Sequence, residues 1–404
     1  MQPTSTTQQK EPINISIPEG DHVIGEVTGD ADGPSLIVVG SVHGNEPSGA
    51  LAMRRMLPEL RKLSGDLRGR VFLIAGNTRA ISENVRFIDD DLNRHWTAEK
   101  VLRNDPASEV SSDRVEDLEQ RELLAIFDRV LSTARDEVYA MDLHSTSSQS
   151  SPFAMIGDTL RNRRFAQKFP ATFLLGIEEQ LDSTILEYIN NRGAVTLGFE
   201  AGQHSDATAI DNQEALIWLA LVNAGIVSGE KIDLEKHETT LRKAMNNERR
   251  IIEIRHRHAI TPEDNFEMNP GYKNFQPVKK GEVLARDKDG QVKAKETSLI
   301  LMPLYQEQGN DGFFLGREIS PFWLWLSRIL RQLGIGSLMG YLPGVNQDPQ
   351  NKDSYIVNTR VARIFPLQIF HLLGFRKRRW KGDKLVVSRR KHDTRSPFRK
   401  KRSD

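Results

Sequence analysis

Two residues near the start of the sequence have the types and the spacing of metal ligands. His43 and Glu46 stand three residues apart in the run Val42-His43-Gly44-Asn45-Glu46. An imidazole and a carboxylate at this spacing can both reach one Zn²⁺ ion. Ordinary polar turns contain the same pattern, so H-x-x-E alone leaves the assignment open.

Two later segments also end in groups that bind metals or transfer protons. His144 and Glu200 each follow an apolar run, and Asp142 precedes His144 by two positions. Two histidines and one glutamate would leave one coordination position of zinc open for water, which is typical of catalytic sites. Glu200 is then a candidate general base, and Asp142 a candidate acceptor for the second ring proton of His144. Each residue could be an ordinary polar group, but their recurrence at strand ends favours a catalytic site.

The elements that must position these groups alternate between strands and helices. Aliphatic runs predict buried strands at 36–42, 138–141 and 194–199, each directly before a candidate residue. Amphipathic runs between them predict helices. The pattern therefore predicts an α/β fold with a mostly parallel twisted sheet, helices on both faces, and the site at the carboxyl ends of the strands.

The 404 residues suffice for more than one domain. We expect residues 1–20 to be a flexible segment and residues 21–230 to form the α/β domain. Short extended runs between Gly and Pro turns predict a connector and a small β domain over residues 231–316. Residues 317–404 are expected to form a helical extension with an amphipathic helix and a basic tail.

Composition limits both the chemistry and the location of the protein. The sequence has no cysteine, which excludes disulfides, thiolate ligands and cysteine nucleophiles. The first twenty residues lack the apolar core of a signal peptide, and no long uncharged apolar run predicts a spanning helix. A cytoplasmic protein is therefore expected. The net charge is +1, although residues 371–404 hold 14 Lys and Arg against 3 Asp.

Four motifs resemble the succinylglutamate desuccinylase/aspartoacylase family, which belongs among the zinc carboxypeptidase-like hydrolases. They occur in the family's order within residues 36–316 and are His43-Gly44-Asn45-Glu46, Asp91-Leu92-Asn93-Arg94, Asp142-Leu143-His144 and Gly198-Phe199-Glu200. The resemblance implies one Zn²⁺ per chain, held by His43, Glu46 and His144, with Glu200 as the proton-transferring residue.

The resemblance also assigns three residues of the long polar loop 76–96. It implies that Arg86 polarises the scissile carbonyl and that Asn93 and Arg94 hold a substrate carboxylate. A guanidinium is a natural partner for a planar carboxylate. Both arginines could instead form solvated ion pairs with Asp89–Asp91, which would contribute little energy.

The sequence departs from the family pattern at three points. Ser145 stands where the family motif Asp-Leu-His-Asn-Thr has asparagine. Tyr188 and Arg192 keep the spacing of two substrate-binding residues of aspartoacylase but lie two residues nearer Glu200. Their i, i+4 spacing puts both on one helix face, so we predict that they bind substrate. Residues 317–404 have no counterpart in aspartoacylase.

The extension contains a helix with one apolar side. That side is formed by Phe322, Trp323, Trp325, Leu326, Ile329, Leu330 and Leu333. Two tryptophans and a basic polar face fit an interfacial helix. We favour packing on the protein's own core or at a dimer interface, because amphipathic helices mostly serve cores.

The basic tail at 371–404 has two further interpretations. Its charge suits an anionic membrane surface or a nucleic acid, but it lacks the interleaved aromatic residues of a nucleic-acid module. We expect a solvated tail whose removal leaves turnover within a few-fold.

The sequence predicts a zinc-dependent amidohydrolase that removes an acyl group from the nitrogen of an amino acid or of a similar small carboxylate-bearing amide. A carboxypeptidase-like or ester-cleaving zinc hydrolase is the alternative among enzymes. A membrane- or nucleic-acid-associated binding protein on an inactive hydrolase scaffold is the alternative of another class, against which the complete ligand set argues. The acyl group, the amine and the oligomeric state, a homo-oligomer included, stay open.

Overall fold

The strands and helices alternate as the sequence predicts. A computed structural model describes residues 17–109, 112–181, 183–358, 367–381 and 384–399. Residues 1–16 of the predicted flexible segment and residues 400–404 of the predicted tail lie outside the described residues. In the described part the strands are β1 (Val23–Thr28), β2 (Ala31–Gly40), β3 (Arg68–Ala75), β4 (Val138–Thr146), β5 (Phe153–Ile156), β6 (Phe173–Leu175), β7 (Val195–Gln203), β8 (Ile251–Ala259), β9 (Glu267–Met268), β10 (Pro277–Val278), β11 (Val283–Asp287), β12 (Gly290–Lys293), β13 (Ser298–Leu301), β14 (Asp311–Glu318), β15 (Val345–Asp348), β16 (Asn351–Asn358), β17 (Phe375–Lys381) and β18 (Lys384–Arg389). The helices are α1 (Ser48–Lys62), α2 (Thr78–Glu83), α3 (Ala98–Arg103), α4 (Val115–Ser132), α5 (Leu160–Ala166), α6 (Ile185–Asn191), α7 (Thr208–Ala224), α8 (Leu234–Ala244), α9 (Pro321–Gln332) and α10 (Leu367–Leu372).

The main sheet has a parallel centre. Its eleven described strands have the order β1-β3-β2-β4-β7-β5-β6-β8-β14-β13-β10. The neighbours β3, β2, β4 and β7 run parallel, and so do β5, β6 and β8. Because β2, β4 and β7 are adjacent and parallel, their carboxyl ends meet at one edge of the sheet. The predicted α/β fold class is confirmed.

Helices cover both faces of this sheet, which explains the continuous aliphatic runs. Leu36 and Val38 of β2 pack in the same buried cluster as residues of α1 and α7. Ile37 and Val39, which point to the opposite face, pack with residues of α4 and α6. Alternate residues of a strand point to opposite faces, so a strand buried on both faces needs apolar residues at every position.

The strands of residues 250–316 are divided between two sheets. β8, β14, β13 and β10 continue the main sheet, and β8 pairs directly with β6. β9, β11 and β12 form a separate three-stranded sheet. Extending the main sheet satisfies the backbone groups of β6 that would otherwise form an open edge. One consequence is that the segment between β13 and β14 lies beside the α/β domain.

The C-terminal extension contains a sheet that the sequence analysis did not predict. Besides α9 and α10, its described residues form a four-stranded antiparallel sheet in the order β15-β16-β18-β17. Val357, Phe375, Leu385 and Val387 from this sheet pack with Met339 in one buried cluster. The expectation of helices followed by a solvated tail was therefore wrong for residues 375–381 and 384–389, which form paired strands with apolar side chains in a shared core. Among the described helices, none is long and apolar enough to cross a membrane.

Candidate active site

The turn after β2 projects His43 and Glu46 to the same side. The Glu46 N–H donates to the His43 carbonyl at 3.1 Å, and the Ser41 hydroxyl donates to the Glu46 carbonyl at 3.0 Å. A Cβ atom at Gly44 would lie 2.1 Å from the carbonyl carbon of Ala80. Only glycine fits this approach, so the His-Gly-Asn-Glu run packs directly against the loop that follows β3.

His43, Glu46 and His144 come together at the edge of the sheet. Their candidate ligand atoms all lie within 4.8 Å of one another, and all three residues are buried. Nδ1 of His43 lies 2.9 Å from Glu46 Oε1, and Nδ1 of His144 lies 3.0 Å from Glu46 Oε2. The structure thus gathers the three predicted ligands from two adjacent parallel strands.

A carboxylate lies behind each of the two histidines. His43 Nε2 is 3.1 Å from Asp91 Oδ1, and His144 Nε2 is 2.8 Å from Asp142 Oδ2. Zinc-binding histidines typically donate their remote ring proton to such an acceptor, which fixes the tautomer and the ring orientation. Both Nδ1 atoms are then left facing Glu46, so the donor set fits a divalent cation.

The charged groups of this cluster shift one another's pKa values towards the ionised forms. Despite burial, which opposes ionisation, His43 and His144 hold the pKa of Glu46 well below its ordinary value. Despite burial, Asp142 and Glu46 likewise hold the pKa of His144 well above its ordinary value. Buried charges that depend on one another in this way are costly to break singly.

Glu200 lies beside the ligand cluster but is not part of it. In the register of the parallel pair β4 and β7, Glu200 is directly opposite His144. Its Oε2 atom is buried without a hydrogen-bond partner, and burial raises the pKa of its carboxyl to about 8. A carboxyl with a pKa near neutrality can both accept and return a proton.

Arg86, Asn93 and Arg94 line the same cavity as the ligands. Arg86 donates to Glu46 Oε1 at 3.2 Å and to Asp91 Oδ2 at 3.3 Å. The predicted long loop that carries the three residues contains α2 and a short 3₁₀ helix over Leu92–Arg94. This local structure turns both guanidinium groups away from solvent towards the cavity.

Asn93 and Arg94 already have partners within the protein. The Asn93 side chain accepts the N–H of Ile185 at 3.0 Å, at the start of α6. Arg94 donates to Asp311 Oδ2 at 2.6 Å, and Asp311 also pairs with Arg257. A substrate carboxylate that binds to Arg94 would therefore compete with Asp311.

The cavity has an apolar wall and reaches the C-terminal extension. It has an empty volume of about 1440 Å³, which includes its opening to solvent. Its apolar lining consists of Met155, Ile156, Ile177, Leu181, Leu186, Met302, Pro303, Leu304 and Phe314. Arg376, Arg390 and Lys391 of the extension line the same cavity. The site thus combines a polar, metal-competent end with an apolar wall and cations from the tail region.

Tyr188 and Arg192 are not among the residues that line this cavity, so the structure gives no support to their predicted substrate-binding role. Arg192 Nη1 donates to the Tyr188 hydroxyl at 2.6 Å and pairs with Asp128 at 2.9 Å. The Tyr188 ring packs against Trp96, with ring centroids 5.1 Å apart. Both residues share a helix face as predicted, but α6 turns that face towards α4.

The sequence analysis gave no role to a third histidine that lines the cavity, His204. His204 Nδ1 lies 2.7 Å from the Ser145 hydroxyl, and His204 Nε2 lies 3.2 Å from Gln306 Oε1. Because Gln306 Oε1 is an acceptor, Nε2 carries the proton and Nδ1 accepts from Ser145. Burial lowers the pKa of His204, which keeps the ring neutral. The position of His204 just after β7 could have indicated that it lies in the cavity, whereas no sequence signal indicated this for Gln306.

A second group of acidic and imidazole side chains has a structural explanation. His22, Glu119 and Glu122 also lie within ligand distance of one another. The Arg79 guanidinium donates to Glu119 at 2.7 Å and to Glu122 at 3.0 Å. The Arg79 guanidinium thus already bridges both carboxylates of this group.

Comparison with known proteins identifies the region that carries the site. Residues 32–222 match the family model described as the succinylglutamate desuccinylase/aspartoacylase catalytic domain. All the predicted ligands, Glu200 and the three loop residues lie within this match.

Two curated relatives from frogs match a shorter part of the chain. N-acyl-aromatic-L-amino acid amidohydrolases (carboxylate-forming) of Xenopus laevis and Xenopus tropicalis are 32% and 33% identical over 116 and 113 residues. These alignments cover 28% of this chain and 34% of each relative. The chain thus matches about a third of the length of these curated relatives.

Solved structures share the fold over most of the chain. A succinylglutamate desuccinylase/aspartoacylase from Rhodobacter sphaeroides superposes with a TM-score of 0.55 at 19% identity, covering 73% of this chain and 88% of that chain. The product-bound ectoine utilization protein EutE (DoeB) from Ruegeria pomeroyi gives 0.52 at 21% identity, covering 72% and 87%. At these identities the likeness establishes the fold alone.

Proposed function

We propose that this protein is a zinc-dependent amidohydrolase of N-acyl amino acids. The proposal starts from the match of residues 32–222 to the succinylglutamate desuccinylase/aspartoacylase catalytic domain. The observation that carries the proposal is the buried set His43, Glu46 and His144, with a carboxylate behind each histidine and Glu200 beside them. The frog relatives are N-acyl-aromatic-L-amino acid amidohydrolases, which supports the same reaction class.

His43, Glu46 and His144 would hold the Zn²⁺ ion, with Asp91 and Asp142 fixing the two rings. Bound zinc would supply a low-pKa water and polarisation of the scissile carbonyl. Three protein ligands are the number found in catalytic zinc sites, which keep one position open.

Glu200 moves the proton in this proposal. Its carboxylate accepts a proton from the attacking water as the water oxygen bonds to the carbonyl carbon. The same carboxyl then returns the proton to the leaving nitrogen as the carbon–nitrogen bond breaks, so the products are a carboxylic acid and an amine. The raised pKa of Glu200, about 8, suits a group that both takes and returns a proton.

The cavity lining supports a substrate with one charged and one apolar end. Arg86 is close enough to Glu46 to reach a carbonyl held at the ligand cluster. Arg94 is the candidate partner of a substrate carboxylate. The apolar wall beside Met155, Leu186 and Phe314 suits an apolar acyl group or side chain.

The test measures zinc content and turnover on the same preparations. Purified protein should bind about one Zn²⁺ per chain and hydrolyse members of a panel of N-acyl amino acids, with peptides and esters included for comparison. Glu200→Gln should keep zinc but lower kcat by about 10²–10⁴-fold, because the amide cannot accept a proton. His144→Ala should lose most of the zinc.

His256→Ala is the matched control, since His256 lies on β8 and does not line the cavity. That variant should keep both zinc and turnover. Stoichiometric zinc in a protein with both His43 and His144 replaced would refute the metal site. Undiminished kcat in Glu200→Gln would remove Glu200 from the reaction.

A further inference from the structure

The amphipathic helix α9 is packed with its apolar side outward. Its buried residues are Leu324, Ser327 and Arg331, which form a stripe along one side. Phe322 and Leu333 lie on the opposite side of the helix and are 53% and 70% exposed. Of the two packings expected for α9, the one on the protein's own core through its apolar side was therefore wrong, and the one at a dimer interface stays a prediction.

Polar contacts fix this orientation. The Ser327 hydroxyl donates to the Leu372 carbonyl at 2.9 Å. Arg331 donates to the Asp158 carbonyl and to Asp158 Oδ2, both at 2.8 Å, and to the His371 carbonyl at 2.6 Å. Turning the apolar side inward would leave Asp158 without this partner, and breaking a buried ion pair is strongly unfavourable. The outward aromatic side is thus a stable feature of the fold.

Large exposed apolar residues recur along this segment, and we call them together the aromatic patch. They lie on α9, directly after it and on the 3₁₀ helix Ile335–Tyr341, and are Phe322, Trp323, Trp325, Leu333, Leu338 and Tyr341. These are six of the nine large exposed apolar residues among those that the structure describes. The Phe322 ring lies 5.4 Å from the Trp323 ring and 5.8 Å from the Trp325 ring, so the aromatic groups are contiguous. Patches of this kind mark interaction surfaces.

The charge distribution indicates which kind of partner the aromatic patch binds. Residues 317–404 contain 20 Lys and Arg against 6 Asp and Glu, whereas the rest of the chain has a net charge of −13. Arg331, Arg376 and Arg390 are buried in ion pairs with acidic residues of the α/β domain, so the other cations are the ones that can face a partner. Exposed Arg328 lies on α9 beside the aromatic patch, and the Arg389 guanidinium approaches Gly336 of the following 3₁₀ helix. Pairing of two copies through this face would bring two extensions of like charge together, which is unfavourable. An anionic surface would instead be attracted.

We propose that the aromatic patch, together with the exposed cations of the extension that carries it, binds an anionic phospholipid surface. Tryptophans of an amphipathic helix partition to the headgroup level, and each nearby basic residue adds attraction to anionic lipids. The helix would lie in the plane of the surface, since no described helix can cross a membrane. The inference concerns a surface outside the cavity and does not depend on the proposed catalytic function.

The test uses the full chain and vesicles of two compositions. Wild type should bind phosphatidylcholine vesicles that contain phosphatidylglycerol at least about tenfold more tightly than vesicles of phosphatidylcholine alone, and salt should weaken the binding. The double variant Phe322→Ser with Trp325→Ser should bind the anionic vesicles at least about tenfold more weakly. Leu102→Ser, which alters a 76% exposed leucine on α3, is the matched control and should bind as wild type does.

A second measurement needs no variant. Brominated lipids in the anionic vesicles should quench the tryptophan fluorescence of wild type, because Trp323 and Trp325 enter the acyl boundary. Absence of quenching, equal binding of neutral vesicles, or undiminished binding of the double variant would each overturn the proposal. So would a wild-type dimer in sedimentation equilibrium that the double variant dissociates, because the patch would then serve a second copy.

Discussion

Arg94 has two roles to reconcile, one expected from the family resemblance and one observed in the fold. Family resemblance makes it the partner of a substrate carboxylate, whereas in the structure it donates to Asp311 at 2.6 Å. Asp311 and Asp91 raise the pKa of Arg94 although burial opposes this, so the guanidinium stays charged. Asp311 therefore pairs with Arg94 where the carboxylate of the proposed substrate would bind.

Asp311→Asn should improve substrate binding through Arg94. Loss of the competing carboxylate should lower KM for a carboxylate-bearing substrate by up to about tenfold, with zinc content unchanged. Arg94→Ala should raise KM instead. Steady-state kinetics on both variants measures the two effects.

The control for this prediction is Asp264→Asn, which removes a partly buried carboxylate that pairs with Lys288 and does not line the cavity. KM should be unchanged in that variant. If Asp311→Asn and Arg94→Ala both leave KM unchanged, the substrate carboxylate binds elsewhere in the cavity.

At the scale of elements, His371 of α10 contacts two carboxylates that lie outside the extension. His371 Nε2 lies 2.9 Å from Glu179 Oε2, and Nδ1 lies 3.3 Å from Glu253 Oε1. Burial opposes protonation of the ring, but the two carboxylates raise the pKa of His371 to about 9. The protonated ring thus contributes to the docking of α10.

The contribution of His371 to stability should disappear at alkaline pH. Because its folded-state pKa is above the unfolded value, the contribution is complete below about pH 6.5 and is lost as pH rises through about 9. The expected change is on the order of 2 kcal/mol in the free energy of unfolding. Thermal unfolding of wild type and His371→Gln between pH 6 and 10 measures it.

Wild type should be more stable than His371→Gln at pH 6, and the stabilities of the two proteins should converge towards pH 10. His392→Gln, which lies in the extension outside this ion-pair cluster, should follow wild type over the whole range. A constant gap between wild type and His371→Gln would mean that the histidine acts through packing and not through charge.

For the whole molecule, the extension closes one end of the active-site cavity. Arg390 pairs with Glu178 and with Glu179, and Arg376 pairs with Glu187 at 2.6 Å. These contacts attach the basic segment to the α/β domain and bring both arginines to the cavity wall. The earlier expectation that the tail can be removed without consequence does not agree with this arrangement.

Removal of residues 371–404 should therefore impair catalysis on a soluble substrate. We expect kcat/KM to fall more than about tenfold, because cavity lining and buried ion-pair partners are lost together. A matched truncation of residues 400–404 should retain activity, since it removes none of the described contacts. Turnover of the longer truncation within a few-fold of wild type would mean that the extension does not shape the cavity.

The sequence by itself determined the fold class and which candidate metal ligands meet at one edge of the sheet. His43, His144 and Glu200 each follow an aliphatic run, and adjacent parallel strands bring their carboxyl ends to one edge whatever the rest of the chain does. Local patterns suffice here because the ligands and the strands that carry them are adjacent in sequence.

Only the tertiary structure decided which further residues face that site and which faces are covered. Tyr188 and Arg192 share a helix face, but the packing of α6 turns it away from the cavity. His204, Gln306 and Asp311 meet the site across long sequence separations, and no spacing rule connects them. For α9, periodicity identified the apolar side, whereas the ion pair between Arg331 and Asp158 determined that this side remains exposed. Periodicity describes one element alone, and burial depends on contacts between elements that are distant in sequence.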